Sequence, residues 1–299
     1  MSEKSEKVKP AAPAKVPSAW GIMWGEIKSD KVALVSLFFF IIVMAGVFIW
    51  ASQLDPREVL RLNLRSRNMP PGDEFLLGTD IAGRNMLPLM VIGARNSFTI
   101  ALAVAVSSSL IGLILGLISG FYGGHTDNII MRIVDFFTVV PTLMVIIVLV
   151  SITERTVANF TLIMIIFSWI GMTRQIRMIT LSQGSMEYVK ASKTLGTRNP
   201  IIIIREVIPN IVSFMMMTLI LNIAGAMGIE TGLTFLGFGL PFGTPTLGFV
   251  LTNARDPHTM MYRPWQWLPA ALLILLMMLC INYVGQALNR AADARRRRV

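Results

Sequence analysis

Five long stretches of the sequence carry no charged side chain, and each is about as long as a helix that crosses a lipid bilayer. Such a helix needs about 20 mostly apolar residues. The stretches are Val32–Ala51, Ser97–Phe121, Thr156–Thr173, Val207–Ile229 and Pro264–Asn289. Only 15% of the chain is charged and 54% is hydrophobic, whereas average soluble domains carry roughly 25% charged residues. The sequence therefore predicts an all-α integral membrane protein and not a soluble enzyme.

A sixth apolar stretch, Phe136–Val150, is short for a span. It reaches spanning length if the helix begins near Ile129 and includes Arg132 and Asp135. These two residues lie three apart, share one helical face and are expected to neutralise each other partly near a membrane end. An anchoring pair is the simpler interpretation, and a role in gating is the alternative.

The segment from Thr231 to Ala254 is also free of charge, but five glycines and two prolines interrupt it. Irregular backbone at membrane depth is tolerated only where protein or water satisfies its polar groups. The composition therefore predicts a partly inserted or surface loop and not a seventh helix. Six transmembrane helices remain.

The distribution of charge predicts the orientation. With six spans both termini lie on one side, whose segments hold 18 basic and 9 acidic residues, against 9 and 8 on the other. The positive-inside rule assigns the more basic side to the cytoplasm. We therefore expect a cytoplasmic arm over 1–31, a first span over 32–51, an extracytoplasmic loop over 52–96, five spans within 97–289 and a basic cytoplasmic tail over 290–299.

Residues that carry chemistry are scarce. Cys280 is the single cysteine, and His125 and His258 are far apart without partners at metal-ligand spacing, so neither a disulfide nor a zinc site is expected. No phosphate-binding loop of the pattern GxxxxGK[ST] occurs. The sequence predicts no bound cofactor and no catalytic site, and the net charge of +10 is interpreted as membrane attraction and not nucleic-acid binding.

Small and polar residues inside two spans predict helix contacts. Gly112, Gly116 and Gly120 recur every four residues, a spacing that favours close helix packing within the chain or with a partner. Asn222 lies deep in the fifth span. We expect it to form a hydrogen bond between helices, with substrate contact as the alternative.

The loop Arg174–Glu206 between the fourth and fifth spans has a pattern of its own. A short polar helix is expected from about Ser185 to Leu195. Gly196 would end it in the left-handed conformation, and Pro200 would open the next helix. Such a rigid protrusion is either a connector or a docking element.

The sequence EYVKASKTLG at 187–196 resembles the "EAA" loop of the permease subunits of binding-protein-dependent ABC importers. Lys190, Ala191 and Ser192 stand at the Glu-Ala-Ala places, Gly196 at the glycine, and Ile208-Pro209 at the later Leu-Pro. Lysine for glutamate and Glu206 are departures from the family pattern. They weaken the case for a specific salt bridge but not for the helix–glycine–helix geometry.

Three further segments are similar to the C-type permeases of oligopeptide, dipeptide and nickel importers. LGTDIAGRN at 77–85 is similar to their LGTDxxGRD segment, RIVD at 132–135 to their third span, and LTFLGFG at 233–239 to their LSFLGLG stretch. Together with the EAA loop they cover about residues 75–290 in order. The motif residues outside the EAA loop are Gly78, Thr79, Asp80, Gly83, Arg84, Arg132 and Asp135.

The resemblance implies a mechanism and partners. The helix within about 180–206, with Glu187, Tyr188, Lys190, Ala191, Ser192, Gly196 and Pro209, is expected to seat in a cytoplasmic ATPase subunit and to couple ATP-driven closure to the spans. It also implies a homologous second permease, two ATPases, an extracytoplasmic peptide-binding protein and a peptide substrate in a bacterial cell membrane.

Other functions remain open at the level of sequence. The same architecture could import nickel or another small solute, because the binding protein selects the cargo in this class. A self-sufficient secondary transporter or channel is the alternative from another class. That class should show ionisable residues at mid-span, and the sequence offers only Arg132 and Asp135, near a membrane end.

Overall fold

The computed structural model describes residue 25, residues 27–241 and residues 243–296, without the side chains of 291–296. Most of the expected N-terminal arm and the end of the basic tail lie outside these residues. Apart from one isolated bridge between Thr79 and Asn85, the described residues form helices, turns and loops. The prediction of an all-helical protein is confirmed.

The main helices are labelled in chain order. They are α1 Lys31–Gln53, α2 Met86–Tyr122, α3 Gly124–Val139, α4 Thr142–Ile152, α5 Val157–Gly184, α6 Glu187–Thr194, α7 Ile208–Phe235, α8 Leu247–Leu251 and α9 Leu268–Arg296. Shorter helices lie at Pro56–Val59, Leu64–Ser66, Asn199–Ile202, Thr252–Arg255, Pro257–Tyr262 and Pro264–Gln266, and a π-helical turn at Ile203–Val207.

Within the described part of the chain, five helices are long and apolar enough to cross a membrane. They are α1, α2, α5, the stretch Asn199–Phe235 that contains α7, and α9. The pair α3 and α4 makes a sixth span if it counts as one. The structure thus has the helices of a multi-span membrane protein.

The third span is not the continuous helix that the sequence predicts. Helices α3 and α4 meet at a bend of 80°, where Val140 is extended and Pro141 follows. Proline disfavours a helical conformation in the residue before it and lacks an N–H for the helical ladder. The continuous helix from Ile129 to Val150 is therefore wrong.

The expected pairing of Arg132 with Asp135 is also wrong. Arg174 of α5 binds the Asp135 carboxylate, with the two charged atoms 2.6 Å apart, while the Arg132 side chain is exposed. Both residues lie on α3 as predicted, but α5 packs beside α3 and presents a guanidinium to Asp135.

Helices α2 and α5 pack closely along the small residues of α2. A Cβ at Gly112 would lie 2.6 Å from Cβ of Met172, and one at Gly116 would lie 2.7 Å from Cβ of Ile176. Gly120 meets α5 in the same way. The predicted helix contact is confirmed and lies within the chain. Asn222 donates to the Ser109 hydroxyl at 3.1 Å, so the predicted bond between helices is confirmed as well.

The segment after the fifth span is not wholly a surface loop. Helix α7 continues to Phe235, and after a turn the short helix α8 packs against α2, α7 and α9. Leu247 is fully buried and Val250 is 1% exposed. The part of this segment that forms α8 is therefore packed within the helix bundle, and its insertion into the membrane stays a prediction.

The two ends of the helix bundle carry different elements. Asp30, which caps α1 at the amides of Val32 and Ala33, forms an ion pair with Arg290 of α9. The start of α1 and the end of α9 therefore lie at one end. Residues 54–85 and 252–267, hereafter the cap, pack together at the other end through Gln266, which donates to Thr79.

Candidate functional site: a short helix seated on three spans

Helix α6 is short and ends sharply. Gly196 has φ +80°. The amide of Gly196 bonds to the carbonyl of Lys193, and the amide of Thr197 to that of Ser192, each at 3.0 Å. These two bonds form a Schellman motif, which needs a residue in the left-handed region at its turn. The left-handed Gly196 follows the sequence expectation, and Pro200 lies in the first turn of the next helix.

The inner face of α6 is fixed to the ends of three spans. Val189 is fully buried. The apolar cluster around it comes from α2, α5 and the stretch that leads into α7, and it contains Leu117, Phe121, Met172, Ile176, Ile202, Val207 and Ile211. Because Val189 belongs to an apolar cluster built from three spans, a movement of α6 is expected to reach the ends of those spans.

Polar contacts hold α6 in the same position. Ser192 donates to Glu206 of the π-helical turn at 2.5 Å, and Tyr188 donates to Gln183 of α5 at 2.6 Å. The ammonium of Lys193 lies 4.6 Å from the centre of the Phe121 ring. The helix is thus held at its beginning, middle and end.

The outer face of α6 is open. Glu187, Lys190 and Ala191 are exposed, and Leu195 at the tip is 84% exposed. Ser192 does not belong to this face, because its hydroxyl points back to Glu206. A rigid helix with charged, small and apolar side chains outward can insert into a cleft of another protein.

Pro209 is the second residue of α7 and explains the π-helical turn before that helix. The proline has no N–H and its ring clashes with the carbonyl four residues back in an α-helix. A wider turn at Ile203–Val207, closed by the bond from the Ile208 amide to the Ile203 carbonyl, relieves that clash. Pro209 therefore shapes the junction between α6 and α7.

Two arginines of α5 link this site to α3. Arg177 binds both carboxylate oxygens of Asp127 at 2.5 Å, and Ser119 of α2 donates to the same carboxylate. Arg174 binds Asp135 as described above. The Asp–Arg pairing was not visible in the sequence because the partners lie 39 and 50 residues apart.

The motif residues at 77–85 stabilise the fold of the cap. The Asp80 carboxylate is fully buried, accepts from the amides of Ala82 and Arg84 at 2.8 and 2.9 Å, and pairs with the Arg84 guanidinium at 2.6 Å. Gly83 has φ +73°, and a Cβ there would lie 1.7 Å from the Asn63 carbonyl oxygen. Gly78, at φ +66°, packs in the same way.

Thr79 joins two parts of the cap. Its buried hydroxyl donates to the carbonyl of Ser66 at 2.5 Å and accepts from the amide of Met69 at 2.9 Å. Its carbonyl accepts from Gln266 at 2.9 Å. The motif residues of the cap thus make structural contacts. At the far side of the cap, the Thr259 hydroxyl holds the pKa of the Asp256 carboxyl below its usual value.

Comparison with known proteins gives the context of these features. Residues 112–298 match the family described as the binding-protein-dependent transport system inner membrane component. The oligopeptide transport system permease protein OppC of Lactococcus lactis is 44% identical over 273 residues, which are 90% of this chain and 92% of that protein.

The chain belongs to this family of permeases. A second relative, OppC of Bacillus subtilis, is 32% identical over 94% of this chain and 91% of its own length. A third, the dipeptide transport system permease protein DppC of Bacillus subtilis, is 31% identical over 92% and 85%. The resemblance seen in the sequence is confirmed, and the chain is a multi-pass permease component of the cell membrane.

A groove in the permease runs between α4 and α7. Two adjoining cavities of about 270 and 290 Å³ share Leu143, Gly225 and Ile229. The first cavity reaches Asn222 and Ser168, and the second is almost wholly apolar. A further cavity, of about 580 Å³, lies in the cap beside Arg84.

Sequence reasoning missed one ionisable residue in the permease. Glu230 of α7 is fully buried, so the statement that only Arg132 and Asp135 stand within the spans is wrong. The signal was present as Glu230 followed by Thr231 and Thr234, an acid with hydroxyls on the adjoining helical surface. The hydropathy pattern does not reveal it, because the charge-free stretch ends at Ile229, directly before Glu230.

The buried Asp80–Arg84 pair predicts how the cap responds to mutation. Asp80→Asn keeps the side-chain shape but removes the charge, and is expected to cost the cap about 1.5–3 kcal/mol because Arg84 loses its ionic partner. Limited proteolysis of membrane vesicles should then cut the region 57–85 faster. Asp73→Asn, at an exposed acid of the same region, should leave the rate unchanged, and equal rates for both variants would contradict the structural role of Asp80.

Proposed function

We propose that this permease is one of two homologous membrane subunits of an ATP-driven importer for oligopeptides or dipeptides. Its partners are a second permease, two cytoplasmic ATPase subunits and an extracytoplasmic peptide-binding protein. The chain holds no cofactor, because ATP is bound and hydrolysed by the partner subunits. Its termini and α6 lie in the cytoplasm, and the cap faces outward.

The packing of α6 against the ends of three spans is the observation that supports this proposal. An exposed helix whose inner face is buried among three spans and whose end is fixed by a Schellman turn acts as a short lever. Force applied to the exposed face moves the ends of α2, α5 and α7 together. The family relatives named for oligopeptide and dipeptide transport support peptides as the cargo.

The two Asp–Arg pairs extend the lever to α3. A movement of α5 pulls α3 through Asp127 and Asp135, and α3 connects through the bend at Pro141 to α4. Helix α4 forms one wall of the groove against α7. In this proposal the groove faces the second permease, and solute passes between the two subunits as the walls move.

The partners can be tested by purification. Mild-detergent isolation of the tagged chain from its host, followed by mass spectrometry, should recover a second six-span permease and one or two ATPases. Cargo is then tested by uptake of labelled peptides into proteoliposomes that hold the complex and its binding protein, with nickel ion as the competing cargo. A chain that purifies alone as a homo-oligomer, without ATPases even after cross-linking, would favour the secondary transporter or channel.

A further inference from the structure

Glu230 is the centre of a hydroxyl cluster that neither the lever nor the groove uses. Its side chain is fully buried on α7. Ser97 of α2 donates to one carboxylate oxygen at 2.9 Å and Thr234 to the other at 3.0 Å. Thr231 contacts it at 3.4 Å, and Thr246 at the start of α8 is a fourth neighbour. A buried carboxylate needs such partners, since a buried acceptor without them is costly.

Two of these hydroxyls also hold the first turn of α8. The amide of Leu247 donates to Ser97 Oγ, and the amide of Phe249 donates to Thr246 Oγ1, each at 3.1 Å. A hydroxyl has one proton to donate and lone pairs to accept. Because the Ser97 proton is directed to Glu230, the Ser97 oxygen is free to accept the Leu247 amide. The Glu230 carboxyl group thereby orients Ser97 toward α8, while Thr246 is the N-cap of α8.

The backbones around this cluster are in close contact. A Cβ at Gly93 of α2 would lie 2.9 Å from the carbonyl carbon of Thr246, and one at Gly248 would lie 2.8 Å from Cβ of Thr234. Asn96 of α2 donates to the carbonyl of Pro245 at 2.8 Å. Helix α8 is therefore pressed between α2 and α7, and the hydroxyls determine its register there.

Helix α8 also contacts the cap. The Arg84 guanidinium lies 5.1 Å from the centre of the Phe249 ring, and Arg84 is the partner of buried Asp80. Beyond α8, Asn253 donates to the carbonyl of Gln266 at 3.1 Å. On the other side of the cluster, α7 presents Gly225, Ile229 and Gly232 to the groove. A continuous series of contacts thus runs from the cap through α8 and Glu230 to the groove wall.

We propose that Glu230 is a positioning residue of α7 that fixes α8 to α2 and α7 through Ser97. The cap and the groove wall then move as one unit. Engagement of the solute-loaded binding protein at the cap is passed through this unit to α7. This last step rests on the proposed function.

The test centres on Glu230→Gln, with two substitutions at Thr246 for comparison. Glu230→Gln keeps the size of the side chain and is expected to speed amide hydrogen exchange of residues 246–251 by at least about tenfold, the size of one lost hydrogen bond. Thr246→Val removes the N-cap hydroxyl of α8 and should speed exchange whatever Glu230 does, so it gives the effect of losing a direct bond to α8. Thr246→Ser should exchange like the unmodified chain, as should Glu154→Gln, which changes an exposed acid.

The functional readout is ATP hydrolysis by the whole complex in proteoliposomes. Glu230→Gln and Thr246→Val should keep the basal rate of ATP hydrolysis within about twofold. In both variants the stimulation of that rate by solute-loaded binding protein should fall by at least about fivefold. The proposal is overturned if exchange of residues 246–251 is unchanged in Glu230→Gln, or if the stimulation by solute-loaded binding protein is unchanged in that variant.

The two readouts separate this proposal from the proposed function. Hydrogen exchange needs neither cargo nor binding protein, so it judges the role of Glu230 in holding α8 by itself. If the unmodified complex shows no stimulation and no uptake, the proposed function fails and transmission from the cap fails with it. If Glu230→Gln does not fold, Thr234→Val takes its place with Thr234→Ser as its control, because the Thr234 hydroxyl bonds Glu230 on α7.

Discussion

Replacing Gly196 by valine is expected to lower solute uptake by at least about tenfold while the chain remains in the membrane. Gly196 adopts φ +80°. A left-handed conformation costs an ordinary L-residue about 1–2 kcal/mol, and β-branched side chains are worse still. Nothing lies within 4 Å of the Cβ position, so the effect is conformational and not a steric clash. The Schellman turn opens and α6 loses its fixed angle.

The measurement is the ratio of solute taken up to ATP hydrolysed by the reconstituted complex. In Gly196→Val this ratio should fall because hydrolysis continues without moving the spans. Gly196→Asn should restore most of the uptake, since asparagine tolerates the left-handed region. Gly184→Val is the matched control at the end of α5, a glycine with equally open surroundings and no positive φ. A normal ratio of uptake to ATP hydrolysis in Gly196→Val would contradict the proposal that α6 acts as a lever.

Removing the Arg177 guanidinium is expected to lower the stability of the complex in detergent and to reduce uptake. Arg177→Gln leaves the Asp127 carboxylate, which is 14% exposed, with the hydrogen bond from Ser119. The lost charge-assisted bonds are worth about 2 kcal/mol. That loss corresponds to a melting temperature lower by about 5 °C for a chain of this size.

A second variant distinguishes the pair from either residue alone. Asp127→Asn combined with Arg177→Gln removes both charges, so that no buried charge lacks a partner, and it should recover part of the stability. The Arg174–Asp135 pair is the control on the same two helices. Its side chains are 42% and 58% exposed, and Arg174→Gln should cost less than about 1 kcal/mol. Equal losses of stability in Arg174→Gln and Arg177→Gln would contradict the view that the more buried ion pair contributes more.

Pro141 and Arg174 take part in two features of the structure that the sequence does not predict. The composition around Phe136–Val150 predicts an apolar span, and an apolar span is present in two pieces. What the pattern did not predict is the angle of 80° between them, since the direction of a chain after a proline depends on what the following helix packs against. The ion pair of Arg174 with Asp135 has the same origin, because a guanidinium pairs with whichever carboxylate packing brings near.

Gly196 and Gly116 show the opposite case. The end of α6 follows from local chemistry, since a glycine after a short polar helix is the residue that adopts the left-handed turn. The contact of α2 with α5 follows from glycines four residues apart, which leave one face of α2 without side chains. Both features are encoded in a few neighbouring residues and need no knowledge of distant ones.

The sequence by itself determined that this chain crosses the membrane several times, that a short helix with a glycine end stands between its fourth and fifth spans, and that it belongs with the permeases of binding-protein-dependent importers. These properties depend on runs of apolar residues and on local motifs. Only the tertiary structure decided that Asp127 meets Arg177, that α8 inserts between α2 and α7, and that Glu230 lies buried among four hydroxyls. Those contacts join residues up to 150 positions apart, and such partners are selected by packing, which no local pattern records.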